Sequence, residues 1–232
     1  MSRVLIVLTS HGDLGGKRPT GFYWEELAAP YWAFRDAGHE VTLASIAGGE
    51  PPADPTSLSE KNPPAVTRFL EDSKAMAALR ATRPVASLDR TGWDAIFLPG
   101  GHGTMWDLPG SAPLAALVGS LFDAGKPVGG VCHGPAGLVA ARRADGRPVV
   151  EGRRVNGFTD SEEAAAGLTD VVPFLLESRL RELGGRFEGG ADFAPYAVRD
   201  GNLVTGQNPA SAEPAARLML DALGEAKARP AA

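Results

Sequence analysis

The chain has a single cysteine and no segment that would suggest export or membrane insertion. One cysteine among 232 residues excludes a disulfide within the chain and favours a reducing compartment. The apolar run at residues 3–9 is too short for a signal sequence or a membrane span, and polar residues follow it directly at 10–13. We therefore expect a cytoplasmic protein without a membrane partner.

Positive charge is also scarce. The chain carries 23 lysines and arginines against 28 aspartates and glutamates, which gives a formal net charge of -5. Domains that bind nucleic acid are normally basic, because they neutralise backbone phosphates. The charge balance therefore argues against a nucleic-acid partner.

Residue patterns that would hold a metal or a phosphate-bearing cofactor are missing as well. The four histidines, His11, His39, His102 and His133, are scattered along the chain, and none has a metal-ligand spacing. The Gly-Gly-His-Gly stretch at 100–103 lacks the lysine and the hydroxyl that a phosphate-binding loop requires. The sequence therefore predicts neither a metal nor a cofactor.

What the chain does contain is a regular alternation of apolar runs and amphipathic segments. Its length, with 44% hydrophobic and 22% charged residues, suits one α/β domain, which we place at 1–224 with a flexible tail at 225–232. Strands are predicted at residues 4–8, 39–45, near 85, 93–99, 127–131, within 147–157, and around 197 and 203. Helices are predicted at 24–37, 65–81, 113–124, from about 160, at 172–183, and from 209 or 212 to 223. This order predicts a doubly wound, mostly parallel sheet with helices on both faces.

Two segments have features of their own. Residues 48–64, rich in proline, predict a long ordered loop or flap rather than a linker between domains, and loops of this length usually have a function or move. Asn208 and Ser211 are rival caps of the last helix. Pro214 favours Ser211, because proline is tolerated in the first turn of a helix.

The only cysteine lies where an apolar run stops abruptly. Residues 127–131 predict a buried strand, and Gly134 and Pro135 begin the helix that follows, so Cys132 occupies the corner between them. Such a corner holds a residue on a tight, often strained turn, as in the nucleophile elbow of hydrolases. A nearby helix start lowers the pKa of a thiol, so we expect a reactive thiolate rather than a small buried hydrophobic residue.

Three loops are expected to meet at this corner, because the carboxyl ends of parallel strands share one edge of the sheet. They follow the first, fourth and fifth predicted strands. The amides of Gly100 and Gly101, together with that of His133, are candidates for an oxyanion hole, with tight turn packing as the alternative. His102 either lines the same pocket or bonds to the backbone of its own loop.

Five short motifs carry a resemblance to a known family. In chain order they are Thr-Gly-Phe-Tyr-Trp-Glu-Glu-Leu-Ala-Ala-Pro (20–30), Phe-Leu-Pro-Gly-Gly-His-Gly (97–103), Val-Cys-His-Gly-Pro (131–135), Asn-Gly-Phe-Thr-Asp (156–160) and Val-Thr-Gly-Gln-Asn-Pro-Ala-Ser (204–211). With these motifs the chain resembles the ThiJ/PfpI superfamily, and more narrowly its heat-shock chaperone and glyoxalase III branch. The resemblance implies a flavodoxin-like, glutamine amidotransferase-like fold with a nucleophile elbow at Cys132.

The resemblance also implies a carboxylic acid beside the nucleophilic cysteine. In the family this acid lies on the first helix, four residues before a proline, which here is Glu26 because of Pro30. It is thought to be protonated and to donate a hydrogen bond to the thiolate. Glu25 points about 100° away around the helix, so only one of the two can face the pocket. The alternative is that both simply form an acidic first turn.

A second acidic residue, which orients His133, is implied just after the fourth motif. The family's spacing places it at Glu163, with Glu162 as the adjacent competitor. Asp160 supports a different interpretation, a helix cap followed by an acidic first turn. With Glu163, the nucleophile Cys132 and His133 form a triad in which the carboxylate fixes the tautomer of the imidazole. Adjacent cysteine and histidine side chains usually diverge, which would turn His133 away from the sulfur.

The function implied by the resemblance is that of a cysteine-dependent, glutathione-independent glyoxalase III. Such an enzyme is a lyase that converts 2-oxoaldehydes such as methylglyoxal to 2-hydroxy acids without a cofactor. Homodimers are implied as well, with some of the aromatic residues around Glu26 lining the pocket or the dimer face. The alternatives are a holdase chaperone or protein deglycase, and a cysteine amidase, hydratase or protease-like hydrolase.

Overall fold

The computed structural model describes residues 1–228, which form a central sheet with helices on either side. The strands are β1 Arg3–Leu8, β2 Glu40–Ser45, β3 Arg83–Pro84, β4 Ala95–Leu98, β5 Val128–Val131, β6 Arg154–Val155, β7 Arg186–Phe187, β8 Ala197–Asp200 and β9 Leu203–Gly206. The α-helices are α1 Trp24–Asp36, α2 Pro64–Glu71, α3 Ser73–Arg80, α4 Thr104–Asp107, α5 Ala112–Asp123, α6 Asp160–Ala165, α7 Leu176–Glu182 and α8 Ala212–Ala228. Within this described part, no helix is both long enough and apolar enough to cross a bilayer.

Seven strands form the main sheet in the order β3-β2-β1-β4-β5-β9-β8, and β6 pairs with β7 separately. Neighbours in the main sheet are parallel except β8 and β9, which are antiparallel at one edge. From β1 the chain proceeds outwards through β2 to β3, and it then places β4 on the other side of β1. The predicted doubly wound, mostly parallel sheet is thus confirmed, and its order reverses between β1 and β4, where such sheets bind ligands.

The central strand is apolar on both faces because helices cover both. Ile6 and Leu8 of β1 belong to the core that includes side chains of α1, α2 and α8. Leu5 and Val7, which alternate with them, belong to the core that includes side chains of α5 and α7. Side chains alternate between the two faces of a strand, so a strand buried between two layers has to be apolar throughout.

Several element boundaries differ from the predicted ones. The predicted helix at 65–81 is two helices, because the Asp72 carboxylate accepts hydrogen bonds from the backbone N–H groups of Lys74 at 2.9 Å and Ala75 at 2.8 Å. These bonds cap a new helix, α3. The helix predicted at 172–183 is shorter, since α7 begins only at Leu176. Strand β7 was not predicted, because two residues are too few to show alternation.

The last helix begins and ends differently from the prediction. Asn208 precedes a single 3-10 turn at Pro209–Ser211, and its side-chain oxygen accepts a hydrogen bond from Ser211 Oγ at 3.0 Å. Both rival caps therefore help to start the helical segment. α8 continues to Ala228, and Glu225 forms an ion pair with Arg199 at 2.7 Å. The predicted tail is thus helical through Ala228, and residues 229–232 lie outside the described residues.

The loop at 48–64 packs against the loop that follows β1. The N–H of Phe22 donates to the carbonyl of Pro52 at 2.9 Å, and the N–H of Asp54 donates to the carbonyl of Phe22 at 2.8 Å. The buried carboxylate of Asp54 also accepts a hydrogen bond from Thr20 Oγ1 at 2.8 Å. The loop is therefore part of the domain, and it carries Asp54 to the edge of the site described below.

The packing of β1 predicts how the core responds to truncation. Leu5→Ala should lower the free energy of unfolding by about 2–5 kcal/mol, because Leu5 is fully buried and its removal leaves a cavity. Leu58→Ala is the matched control, since Leu58 is 40% exposed and its truncation should change the free energy by less than about 0.5 kcal/mol. Urea unfolding of both variants measures this, and equal losses would contradict the two-layer core.

Candidate active site

The loops that follow β1, β4 and β5 meet at the carboxyl edge of the sheet, as predicted. β4 leads into Gly100 and Gly101, and β5 leads into Cys132. A main-chain hydrogen bond from the N–H of Tyr23 to the carbonyl of Gly100, 3.1 Å long, joins the first two of these loops. Side chains from three separate parts of the chain are thereby placed around one sulfur atom.

Cys132 has the strained backbone expected of a nucleophile elbow. Its φ angle is 58°, in the left-handed region that residues with a side chain seldom adopt. Two hydrogen bonds hold it there: its N–H donates to the carbonyl of Gly206, and its carbonyl accepts from the N–H of Phe158, both at 2.9 Å. Neighbouring segments that pair with both sides of the corner can offset a strain of about 1–3 kcal/mol.

A continuous chain of polar contacts runs from the sulfur to a carboxylate. Cys132 Sγ lies 3.3 Å from His133 Nδ1, and His133 Nε2 lies 2.7 Å from Glu163 Oε2. Adjacent cysteine and histidine side chains were expected to diverge, but here they touch. Because the carboxylate accepts the hydrogen bond from Nε2, the neutral imidazole leaves the lone pair of Nδ1 facing the sulfur. This arrangement can take a proton from the thiol.

Of the two candidate glutamates, Glu163 is the one that contacts His133, and a helix cap explains why. Thr159, not Asp160, is the N-cap of α6, and it forms a capping box with Glu162. The carboxylate of Glu162 accepts hydrogen bonds from the N–H of Thr159 at 3.0 Å and the N–H of Phe193 at 2.8 Å. Those bonds direct Glu162 away from the sulfur, and Glu163, about 100° further around the helix, faces His133.

His102 contributes a second imidazole to the same carboxylate. Its Nε2 lies 2.8 Å from Glu163 Oε1, and its ring centre lies 4.1 Å from that of His133. The sequence left open whether His102 lines the pocket, and the structure places it in the pocket wall, in contact with Glu163. Sequence spacing could not reveal this convergence of two histidines, because it depends on two loops and helix α6, which bring together residues at least 30 positions apart in the chain.

The surroundings of Glu163 and His133 set their protonation states. Burial alone would raise the pKa of Glu163, but the neighbouring His133 and the hydrogen bonds from both imidazoles lower that pKa to about 2. Burial, together with the nearby His102, lowers the pKa of His133 below its usual value. At neutral pH the carboxylate is therefore charged and the imidazole of His133 is neutral, as a proton acceptor has to be.

Glu26 is the carboxyl group next to the thiol. It is fully buried, and its Oε2 accepts a hydrogen bond from the N–H of Gly100 at 2.7 Å. Oε1 is buried without a well-aligned partner among the described residues, and the Cys132 thiol is a polar neighbour of this carboxyl. Burial raises the pKa of Glu26 to about 8, against the hydrogen bonds that lower it, so the group is mainly protonated at neutral pH. Glu25 is half-buried, and the charge of Glu213 on α8 acts on its carboxyl group.

The backbone donors around the sulfur differ from the predicted set. The N–H of Gly100 is bonded to Glu26 and is not available to a substrate, so this part of the oxyanion-hole prediction is wrong. The N–H groups of Gly101 and His133 do approach Cys132 Sγ. Gly101 has a φ of 98°, and a Cβ there would lie 2.2 Å from the carbonyl of Gly21. Only glycine fits this close approach of two loops.

The expectation of an acidified thiol is also wrong. Burial, then the charge of Glu26 and its hydrogen bond, raise the pKa of Cys132 well above the ordinary value. The predicted helix after the cysteine is a five-residue 3-10 turn, Gly134–Leu138, whose dipole is too small to offset this burial. The resting cysteine is therefore a thiol, and it needs a base before it can attack.

A cavity of about 290 Å³ opens onto Cys132. Besides His102, its wall includes Arg18, Asp54, Tyr23, Phe158 and Phe193. The ring of Phe158 lies 4.5 Å from that of His133, whereas Phe193 is 54% exposed on a left-handed backbone with φ of 59°. Sequence analysis missed Arg18, Asp54 and Phe193, which lie in loops without a motif signal. The cavity is at the small end of the range for ligand sites and suits a small molecule.

Comparisons with known proteins find relatives that cover nearly the whole chain. Glutathione-independent glyoxalase HSP31 of Saccharomyces cerevisiae is 33% identical in an alignment 240 positions long, which covers 95% of this chain and 98% of that protein. The crystal structure of glyoxalase III from Candida albicans superposes with a TM-score of 0.89 at 30% identity, over 95% of this chain and 97% of that one. Rapid Encystment Protein 24 KDa of Francisella tularensis superposes with a TM-score of 0.92 at 34% identity, over 96% and 99%.

A family model also matches most of the chain. The model of the DJ-1/PfpI family matches residues 19–222, which include Glu26, Cys132, His133 and Glu163. This match confirms the resemblance inferred from the five sequence motifs. The chain therefore belongs to the DJ-1/PfpI family.

Proposed function

We propose that this protein is a glutathione-independent glyoxalase that converts small 2-oxoaldehydes, such as methylglyoxal, to 2-hydroxy acids. The observation that carries the proposal is the contact chain from Cys132 through His133 to Glu163, with the protonated carboxyl of Glu26 beside the sulfur. The names of the relatives in Saccharomyces cerevisiae and Candida albicans support it. Thiol, base and acid are the groups that addition to an aldehyde and a later proton transfer require.

The first step forms a bond between sulfur and carbon. As Cys132 Sγ attacks the aldehyde carbon, its proton moves to Nδ1 of His133, which lies 3.3 Å away. Glu163 stabilises the imidazolium that results, since its oxygen lies 2.7 Å from Nε2. The aldehyde oxygen becomes negative in the hemithioacetal, and the N–H groups of Gly101 and His133 are the nearest backbone donors.

The second step moves a proton between two carbons. Glu26 gives its proton to the hemithioacetal oxygen and becomes a carboxylate, which then accepts the proton from the former aldehyde carbon. The same carboxyl returns that proton to the neighbouring carbon, and His133 protonates the oxygen there. The Glu26 carboxylate then recovers its first proton from the hydroxyl on the former aldehyde carbon, so that a thioester of the 2-hydroxy acid results. A group with a pKa of about 8 can both give and accept a proton near neutral pH.

Water completes the reaction by hydrolysing the thioester. His133 in its neutral form accepts a proton from the attacking water, and the sulfur leaves as it regains a proton. The sum is one 2-oxoaldehyde and one water giving one 2-hydroxy acid. Each proton that leaves a group in the first two steps is thereby returned, and the thiol is restored.

The same groups could support hydrolysis of an amide, whereas a holdase finds less support. A holdase needs an exposed apolar patch. Among the described residues the large hydrophobic side chains that are exposed are Met1, Leu58 and Phe193. These three lie far apart in sequence, and Phe193 belongs to the cavity wall. For an amidase, a buried acid with a raised pKa next to the nucleophile has no obvious task, so the glyoxalase reaction uses the site more completely.

The proposal also includes the cell compartment and the assembly. Cys132 has to remain a free thiol, which favours the reducing cytoplasm. A homodimer is included because the family resemblance implies it. Tyr23 reaches the cavity, and the other aromatic residues around Glu26 are buried within one chain: Phe22, Trp24, Tyr31, Trp32 and Phe34.

The reaction itself is tested by product analysis. With methylglyoxal and no glutathione, the wild-type protein should release lactate, and Cys132→Ala should abolish its formation because no covalent intermediate can form. NMR detection of lactate, with methylglyoxal consumption measured in parallel, gives both quantities. Consumption without lactate, or undiminished turnover by Cys132→Ala, would rule out the proposed reaction and favour the hydrolase or chaperone alternative.

Glu26 and Glu25 form a matched pair for testing the acid. Glu26→Gln keeps an oxygen that can accept from Gly100 but cannot give and take a proton, so turnover should fall about 10²-fold or more. Glu25→Gln should leave turnover nearly unchanged, because Glu25 points about 100° away from Glu26 around the helix and interacts with Glu213 of α8. Cys132 should react with iodoacetamide in both variants. Equal, small effects on turnover would mean that neither carboxyl is catalytic.

The buried acid also predicts how stability depends on pH. Its pKa is about 8 in the folded protein and 4.5 when unperturbed, so between these values the folded state binds more protons than the unfolded state. The stabilisation is complete below about pH 4.5 and is lost as the pH rises through 8. Glu26→Gln removes this loss. As the pH rises from 5 to 8, the free energy of unfolding of this variant should therefore increase by about 3 kcal/mol relative to that of the wild type, at 1.36 kcal/mol per pKa unit. Urea unfolding at the two pH values measures it, and a pH-independent difference would show that Glu26 is ionised throughout.

A further inference from the structure

The imidazole of His102 has no step in the proposed reaction, although it contacts the same carboxylate as His133. His102 Nε2 and His133 Nε2 lie 2.8 Å and 2.7 Å from the two oxygens of one carboxylate, Glu163. One ring nitrogen of each histidine and one carboxylate oxygen lie within 4.8 Å of one another. For a triad, one imidazole on the carboxylate is enough. Two imidazoles and a carboxylate are, in addition, a ligand set that Zn²⁺ and related divalent ions bind in proteins.

We propose that His102, His133 and Glu163 form a binding site for a divalent transition-metal ion of the zinc type, and that the bound ion blocks catalysis. The binding does not depend on which reaction the protein performs. The block does, since it rests on the proposed role of His133 as the base that takes the thiol proton.

The distances are close to those that coordination requires. Bonds of about 2.0–2.2 Å from zinc to nitrogen and oxygen place neighbouring ligand atoms about 3.3 Å apart in a tetrahedral site. The present nitrogen-to-oxygen separations, 2.7 Å and 2.8 Å, are hydrogen bonds and are shorter than this. The set therefore has to open by about half an ångström. His102 can provide that movement, because its side chain is 14% exposed on a loop, whereas the His133 side chain is completely buried.

The site is also accessible and electrically suited to a cation. His102 lines the cavity of about 290 Å³, so an ion can reach its Nε2 and keep a water molecule as a fourth ligand. The Glu163 carboxyl group lies between the two imidazoles, with one oxygen on each, and is the acidic ligand of the set. A divalent ion that replaces the two N–H donors keeps the buried carboxylate paired with a positive charge.

The sulfur of Cys132 is outside this ligand set. It contacts Nδ1 of His133, which is on the other side of the imidazole ring from Nε2. Zinc bound at Nε2 occupies the lone pair there, so the proton of the neutral ring has to reside on Nδ1. An Nδ1–H group faces the sulfur as a donor and cannot accept the thiol proton. This is the physical reason for expecting inhibition.

The test is titration of the whole chain, first freed of metal with EDTA, with ZnCl₂ by calorimetry and with CoCl₂ by visible absorption. The wild type should bind one ion per chain, and the Co²⁺ bands should lack a charge-transfer band from sulfur. His102→Gln and Glu163→Gln should each weaken binding at least about 10-fold, the loss that even an outer partner of a metal ligand produces. Cys132→Ala should bind as the wild type does. His11→Gln, which removes a histidine outside the site, is the matched control and should also leave binding unchanged.

Activity provides the second half of the test. Zn²⁺ should reduce lactate formation from methylglyoxal over the same concentrations at which it binds, and EDTA should restore it. Absence of saturable one-to-one binding overturns the site, as does equal binding by the wild type and His102→Gln, or loss of binding in Cys132→Ala. Binding as predicted without inhibition of an active wild type overturns the block alone. If the wild type makes no lactate at all, the proposed function fails, while the titrations still decide the metal site.

Discussion

The left-handed backbone of Cys132 is the constraint on which the rest of the site depends. With a φ of 58° the chain turns sharply after β5, so that the sulfur and the following His133 reach the same side of the sheet edge. The turn costs about 1–3 kcal/mol and is held by hydrogen bonds to Gly206 and Phe158. Those two partners lie in the fourth and fifth sequence motifs. These motifs are therefore needed for the backbone of the nucleophile as well as for the cavity around it.

Two buried carboxyl groups are kept in opposite protonation states by their different surroundings. Glu163 faces two imidazoles, and the attraction and hydrogen bonds outweigh the cost of burial, so it is ionised. Glu26 faces a thiol and one backbone N–H, which compensate less of that cost, so it is mainly protonated at neutral pH. Pairs of titratable groups whose environments separate their pKa values are typical of acid and base assignments in enzymes. Here one carboxylate orients the base and the other carboxyl provides the acid.

Much of the fold and part of the site could be predicted from the sequence, because both follow from local patterns. Apolar runs without alternation indicated parallel strands buried on both faces, and their loops had to meet at one edge. That argument alone brings Cys132 to the regions of Gly101 and Glu26. The choice between Glu162 and Glu163 came from the family's spacing, and the structure supplies its physical reason in the capping box of Thr159. The role of His102 could not be foreseen, because it depends on the exact approach of two loops.

The sequence-based expectation for the thiol failed for a reason that bears on the mechanism. A strand-to-helix corner was taken to acidify the sulfur, but complete burial and an adjacent carboxyl act in the opposite direction and prevail. A thiolate formed in advance would be a fully buried charge next to a neutral His133. A thiol that loses its proton to His133 only during attack avoids this cost, because charge then develops where Glu163 and the backbone N–H groups can stabilise it. The sulfur is thus protected by its burial until an aldehyde enters the cavity, and His133 activates it only as the aldehyde reacts.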